Sequence, residues 1–391
     1  MGAAMQKMNR RVFIGLIIIF SIAGMAFRWT GIRFEGVDFQ NCLLSWYLQL
    51  KGGNGLEALA DYKGDYNLPY ATILYFLTFI PVEPVISIKM VSILFEYLEA
   101  ALLMKMVMEA AEGERKYLYG ALAYGLVLCN PVAVINSGYL AQSEGIWSCL
   151  ALLSLWHIWK DKPVKGMLVF GFALAIKLQA VFVLPLILIL YFCKRKFTIL
   201  HLLWVPVAIQ VLCIPAIMGG CGFDIAYRIY TNLLGEYPFM YYYYPNIWTF
   251  FQEVPYYQFG RAAICFTFAV LLVFAVLFVR SGKKHTVQDC LEYIAWTTMT
   301  CAMFLPCMHE RYNYIAEVVL PLCAIGKPKY RLPAVILVLI ALQCNGQSYL
   351  AWSRCSDLAL AAGNILVYLW LTRECFQGLY RHAELREAEI C

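Results

Sequence analysis

Residues 166–193 read GMLVFGFALAIKLQAVFVLPLILILYFC, an apolar run whose one charge, Lys177, falls near its middle. About 20 such residues suffice to span a bilayer as a helix. Runs of the same kind recur at 12–28, 84–108, 199–218, 261–280, 290–307, 332–350 and 357–373. Shorter or broken ones lie at 69–82, 117–129, 140–159 and 312–325. A transmembrane β-barrel would show weakly alternating segments of about 10 residues, and these runs are too long and too uniformly apolar for that. Backbone groups in lipid must bond within their own segment, so the expected fold is all-α, a polytopic membrane protein of about 11–13 transmembrane helices.

Composition agrees: the chain is 62% hydrophobic and 14% charged over 391 residues. The formal charge of +6 does not point to nucleic acid. Its basic residues gather in short loops, Lys7-Arg10-Arg11, Lys194-Arg195-Lys196, Arg280-Lys283-Lys284 and Lys327-Lys329-Arg331. That asymmetry places those four loops in the cytoplasm. The first run has no clear small-residue cleavage site and reads as a retained helix rather than a signal peptide. The 15 cysteines are scattered, mostly in apolar runs, with no Cys-x-x-Cys pair, and read as small packing residues. No zinc spacing, P-loop or GxGxxG occurs, and no cofactor is expected. One boundary is expected near residue 285, between 1–285, which carries most of the unusual features, and 286–391, with the His309-Glu310-Arg311 turn and a short cytoplasmic tail.

With the N-terminus inside, 29–68 and 219–260 become large external loops, and 308–312 an external turn. Within the first, 39–51 carries apolar residues at Leu43, Leu44, Tyr47 and Leu50, the pattern of an amphipathic helix lying on the membrane surface. Gly52-Gly53-Asn54-Gly55 ends it, a second short helix covers 56–61, and Pro69 opens the next membrane helix. The region 109–165 resists assignment. Its loops at 112–116 and 160–165 are both basic, and helix parity cannot put every basic loop inside unless one segment is re-entrant. Asn130-Pro131 and Asn136-Ser137-Gly138 interrupt its apolar runs, as in broken helices that line a cavity.

Ionisable groups at membrane depth cost roughly 2.5 kcal/mol or more each, so they mark a pathway or a reaction centre. The external face gathers carboxylates (Asp38, Asp65), the His309-Glu310-Arg311 turn and a tyrosine-rich loop at 237–248, above an apolar bundle. Such a face suits a substrate with a polar head and a lipid tail. In sugar transfer from a polyprenyl phosphate, a carboxylate takes the proton of the attacking hydroxyl. Cationic groups hold the leaving phosphate. Direct attack inverts the anomeric configuration.

Five motifs carry a resemblance. Gly36-Val37-Asp38, Trp46, Gly52-Gly53, Ala58-Leu59 and Gly64-Asp65-Tyr66-Asn67-Leu68-Pro69-Tyr70 resemble the first external loop of bacterial GT-C glycosyltransferases. These are often labelled mannosyltransferases related to the GPI-anchor enzymes. Asn136-Ser137 through Gln142-Ser143-Glu144 is similar to that family's Asn-Ser…Gln-Ser-Asp segment, and Lys177-Leu178-Gln179 with Pro185 to its Lys-x-Gln…Leu-Pro helix. Tyr244-Pro245-Asn246-Ile247-Trp248 resembles its Asn-Leu-Tyr-Gln-Trp segment, and Met308-His309-Glu310-Arg311-Tyr312 its Met-His-Glu-Arg-Tyr. The order holds from about residue 30 to 320. More distantly, the eukaryotic dolichyl-phosphate-glucose glucosyltransferases share the plan.

The resemblance implies an inverting hexosyltransferase of the plasma (inner) membrane, active on the extracytoplasmic face. Its donor would be a polyprenyl-phosphate-linked sugar and its acceptor a glycan or lipid-linked molecule. By motif match Asp38 is the base. Asp65, Tyr66, Asn67, Gln142, Glu144, Lys177, Gln179, Asn246, His309, Glu310 and Arg311 line the substrate pocket. Residue 144 is Glu where the family has Asp, residue 68 is Leu where a second proline is common, and the first loop has no Asp-x-Asp, so no metal site is expected.

Each residue also has a plainer reading. Asp38 would cap the amphipathic helix. Gly64-Asp65-Tyr66-Asn67 is turn chemistry. His309-Glu310-Arg311 would be a surface ion pair, Lys177 would snorkel to an interface, and the tyrosines would form an interfacial belt. Glu96 and Glu99 face the bundle interior with no assigned role. A transporter or flippase is the rival function. It should concentrate charge near the bilayer midplane in two matching halves. A polysaccharide polymerase or ligase is a third reading, and the 219–260 loop offers it a single arginine, Arg228.

Overall fold

The computed structural model of the chain describes residues 10–390 apart from 112, 114, 194–196 and 234–237. Lys7, Lys194-Arg195-Lys196 and Glu236 therefore lie outside the described residues. Those described form helices, turns and loops and no strand. Four helical stretches are both long and apolar enough to cross a membrane: Arg10–Trp29, Arg115–Tyr139, Tyr256–Ser281 and Pro328–Tyr349. The chain is an all-α membrane protein. Every other run expected to span also falls on helix, but is shorter, more charged or broken.

The long helices are α1 (Arg10–Trp29), α2 (Leu44–Gly52), α3 (Leu68–Leu77), α4 (Pro84–Ala110), α5 (Arg115–Leu128), α6 (Glu144–Trp159), α7 (Pro163–Ile176) and α8 (Leu184–Cys193). They continue with α9 (Trp204–Leu212), α10 (Tyr256–Ser281), α11 (Val287–Phe304), α12 (Tyr314–Gly326), α13 (Arg331–Tyr349) and α14 (Asp357–Ile390). One apolar core runs through the whole set, from Phe39 to Leu379.

Three features place the site, and the first two differ from expectation. First, 166–193 is two helices rather than one span. Lys177 caps α7 in extended geometry (φ −153°, ψ 135°), a 3-10 turn Leu178–Val183 follows, and α8 then begins at Leu184. Tyr191, near the end of α8, meets His201 at the start of the next helical stretch. Lys177 therefore sits at the break between two helices, and its extended backbone is what interrupts the run. Second, the apolar side of 39–52 is covered by protein rather than lipid. A π-helical turn, Phe39–Leu43, leads into α2, and Phe39, Leu43, Tyr47 and Leu50 are all buried in the core. The Tyr47 hydroxyl donates to the Leu77 carbonyl at the end of α3 at 3.4 Å. Third, the broken stretch 130–143 is a π-helical turn, Val134–Tyr139, followed by Ala141 in the left-handed region (φ 56°). An L-residue there costs about 1–2 kcal/mol.

Several connecting segments meet at one end of the bundle. Arg33 pairs with exposed Glu83, Gln142 meets Asp38, and the Tyr244 amide donates to the Met308 carbonyl at 3.0 Å. At the other end Lys160 pairs with Glu109, and Lys327 with Glu292 at 2.6 Å.

A candidate active site of three carboxylates and two cations

Asp38, Glu144 and Glu310 converge with Lys177 and Arg311 from four separate segments. Arg311 is the hub. Its Nη1 donates to Glu310 Oε1 at 2.8 Å and lies 3.4 Å from Asp38 Oδ2, and its Nε lies 3.6 Å from Glu144 Oε1. It also bonds the Tyr349 hydroxyl, which donates to Glu310 Oε1 at 2.6 Å. Lys177 donates to Glu144 Oε1, and its ammonium sits over the Tyr66 ring at 5.2 Å and the Tyr312 ring at 5.8 Å. Three carboxylates against two cations leave the cluster with one net negative charge.

Asp38 stands apart within the cluster. Its side chain is 37% exposed, while those of Glu144 and Glu310 are buried and that of Lys177 is nearly so. The capping reading fails: Asp38 has helical backbone angles and makes no cap bond. Its carboxylate instead accepts from Gln142 Nε2 at 3.1 Å, and Gln142 Oε1 accepts from the Tyr66 hydroxyl at 3.2 Å. Tyr66 lies against Trp46 and Tyr70, ring centroids 5.4 and 4.9 Å away, so the first loop supplies an aromatic floor.

His309 borders the cluster. Its ring packs edge-on against Tyr242 at 4.6 Å and beside Tyr312 at 4.8 Å, with Nδ1 3.9 Å from Glu310 Oε2. Burial, then the neighbouring charges of Arg311 and Lys177, hold its pKa down to about 2, so the imidazole is neutral.

The backbone bends sharply around this cluster. Among the described residues, the non-glycine positions with positive φ include Ala141, Tyr243, Cys307 and Ala351. Each lies within two residues of Gln142, Tyr242, His309 or Tyr349 respectively. Left-handed L-residues persist where surrounding structure over-determines them, and they concentrate at functional sites. Polar atoms are left open here as well. Glu144 Oε2, Arg311 Nε and Ser143 Oγ are buried without a hydrogen-bond partner, as are both amide atoms of Asn313 and both carboxylate oxygens of Glu317. Each such atom costs about 1–3 kcal/mol.

Four expected site residues are not in the cluster. Asp65 is exposed and makes no hydrogen bond or ion pair with the described residues. Asn67 is the N-cap of α3: its Oδ1 accepts from the Leu68 amide at 2.8 Å and its Nδ2 donates to the Tyr230 hydroxyl at 3.3 Å. Asn246 likewise caps a short 3-10 turn, Ile247–Phe250, and donates to the Ala302 carbonyl at 3.1 Å. For both asparagines a capping bond occupies the side chain. Gln179 follows Lys177, half-buried with its Oε1 unpartnered.

Tyr349 was not legible, because a tyrosine at a helix end reads as interfacial. Arg28 was hidden at the edge of the first apolar run. It is fully buried and pairs with Glu96 Oε2 at 2.7 Å. Glu96 and Glu99 were visible as acids in an apolar helix, and that was the available signal.

No protein family model matches this chain. No curated protein matches it either.

Proposed function

We propose that the chain is a GT-C-type membrane glycosyltransferase that moves a hexose from a polyprenyl-phosphate donor to a glycan or lipid-linked acceptor. The observation that carries this is Asp38, a half-exposed carboxylate held by Gln142 at 3.1 Å beside Arg311 at 3.4 Å. That is a base next to a cation, as transfer requires. The acceptor oxygen attacks the anomeric carbon, its proton passes to Asp38, and the bond from that carbon to phosphate oxygen breaks. The electron pair leaves with the polyprenyl phosphate, and the configuration inverts. Arg311, with its bidentate fork, and Lys177, as a point charge, are the cations for that phosphate. No metal ion is required for this assignment.

The break at Lys177, read as a turn between two passes, supports the sidedness. Counting it as two passes, the chain crosses twelve times, by α1, α4, α5, α6, α7, α8, α9, α10, α11, α12, α13 and α14. The basic loops near 115, 162, 283 and 329 then all share the side of the N-terminus. The positive-inside rule makes that side cytoplasmic. The cluster falls on the opposite, extracytoplasmic face of the plasma membrane.

The test is to incubate the purified protein with radiolabelled polyprenyl-phosphate sugars and lipid extracts, and to follow label into product. No transfer with any donor overturns the proposal. A second reading, transport of a lipid-linked or polar substrate, draws on one observation. Glu96 and Glu99 sit mid-way along α4, buried, where a transporter keeps its charges. Label crossing proteoliposomes without forming product would favour it.

A further inference from the structure

Beneath the cluster lies a second polar network that the proposed chemistry does not use. Glu96 and Arg28 are its centre, both fully buried. Arg28 Nε donates to Glu96 Oε2 at 2.8 Å and to Ser137 Oγ at 3.0 Å, and its Nη1 donates to the carbonyls of Gly24 and Leu128 at 2.9 and 2.7 Å. Ser137 Oγ donates to Glu96 Oε2 at 2.5 Å. The Tyr314 hydroxyl donates to Glu96 Oε1 at 3.3 Å and to Glu99 Oε2 at 3.4 Å, and Ser148 Oγ donates to Glu99 Oε1 at 2.7 Å. One turn above, Ser92 Oγ donates to the Gln142 carbonyl at 2.7 Å.

Each of these partners belongs to, or holds, a segment that leads to a residue of the cluster. Arg28 lies in the last turn of the helix that leads to Asp38. Ser137 and Ser92 hold the bent stretch that delivers Gln142. Ser148 lies one turn after Glu144, and Tyr314 three residues after Arg311. Two glycines let the network reach the backbone. A Cβ on Gly145 would stand 2.6 Å from Glu96 Cγ, and one on Gly138 2.8 Å from Arg28 Cα. No real Cβ tolerates that spacing.

A buried ion pair is a poor way to gain stability, since an apolar pair of the same volume often does as well or better. What it adds is a fixed geometry. We propose that Glu96, through Arg28, Ser137 and Tyr314, is a positioning residue that sets Gln142 against Asp38 and holds the turn bearing Glu310 and Arg311. Its kinetic consequence rests on the glycosyltransferase reading. Its structural consequence does not.

The test replaces the pair as a unit, Arg28→Met with Glu96→Met, and separately makes Tyr314→Phe, which removes the phenol donor without stranding a charge. Two readouts are taken on the full-length protein: donor kinetics, and amide hydrogen exchange resolved to 138–146 and 308–314. Replacing Lys327 and Glu292 by Met, at the far end of the bundle, is the control. Both test variants should keep wild-type donor KM within about threefold and lose kcat by about 100-fold for the pair and about 10-fold for Tyr314→Phe, the scale of a misplaced reacting group. Exchange at 138–146 and 308–314 should quicken while the control leaves both readouts at wild type. Wild-type kcat and exchange in Tyr314→Phe overturn the proposal, whether or not the double variant folds. If the wild type itself transfers no sugar, the glycosyltransferase reading fails, and exchange alone decides: unchanged protection in both segments overturns the positioning role.

Discussion

Replacing Lys177 by Met separates structure from catalysis in a way the sequence did not anticipate. Read as a lone cation in an apolar run, Lys177 should be replaceable without harm to folding. The geometry says otherwise. Its side chain is 7% exposed and that of its partner Glu144 fully buried. Removing one partner of a buried pair costs about 3–5 kcal/mol, because the other charge is left uncompensated. Arg311 Nε, 3.6 Å from the same Glu144 oxygen, offsets part of this, so the loss for Lys177→Met should be about 3 kcal/mol. Glu144→Gln strands the ammonium instead, but the faces of Tyr66 and Tyr312 remain beneath it, and cation–π contacts of about 1 kcal/mol hold that loss near 2 kcal/mol. Lys177→Met with Glu144→Gln removes both charges and should return to within about 1 kcal/mol of wild type. The cycle therefore predicts a coupling of roughly 4 kcal/mol, measurable by reversible unfolding of the four proteins in one detergent. The folded double variant then becomes the proper test of donor binding. If Lys177→Met alone is as stable as wild type, or the double variant loses the sum of the singles, the pair does not hold the break between α7 and α8 and the reasoning fails.

Three further outcomes are expected. Asp38→Asn should lower transfer by about 100-fold or more, the contribution of a general base, and leave stability unchanged because Asp38 caps nothing; near-normal turnover removes it as the base. Glu317→Gln replaces a buried carboxyl that lacks a well-formed hydrogen bond by an amide of the same shape, so the melting temperature should hold or rise; a clear fall would reveal a partner for Glu317. His309, whose pKa is held down to about 2, binds a proton more readily in the unfolded chain. Its contribution to stability is therefore full above about pH 6.5 and fades as pH falls from there toward 2. His309→Gln should flatten the acid side of the stability profile, and an unchanged slope would mean that His309 is not held neutral.

Much of the architecture was legible because lipid enforces a simple rule. Backbone polar groups must be satisfied inside each spanning segment, so apolar runs become helices, and the runs read from composition all fall on helix. Asp38, Lys177, Glu310 and Arg311 were legible for a related reason: charged side chains in an apolar chain are costly and stand out; Gln142 and Glu144 were reached only through the motif resemblance. The aromatic floor began with Tyr66, which was among them.

The relations between those residues were not legible, since they depend on backbone angles and on contacts far apart in the chain. Nothing in 166–193 distinguishes one helix from two. The break is a single extended residue, and the partner that holds it, Glu144, is 33 positions away. Asn67 and Asn246 carry the chemistry of a sugar site in sequence, yet in the fold a capping bond occupies each. Arg28 and Glu96, 68 positions apart, become a pair only when α1 and α4 pack, and Tyr349 reaches Glu310 only because α13 ends beside the turn. Composition and periodicity report the cost of each residue in lipid; which charges meet to offset that cost is settled by packing.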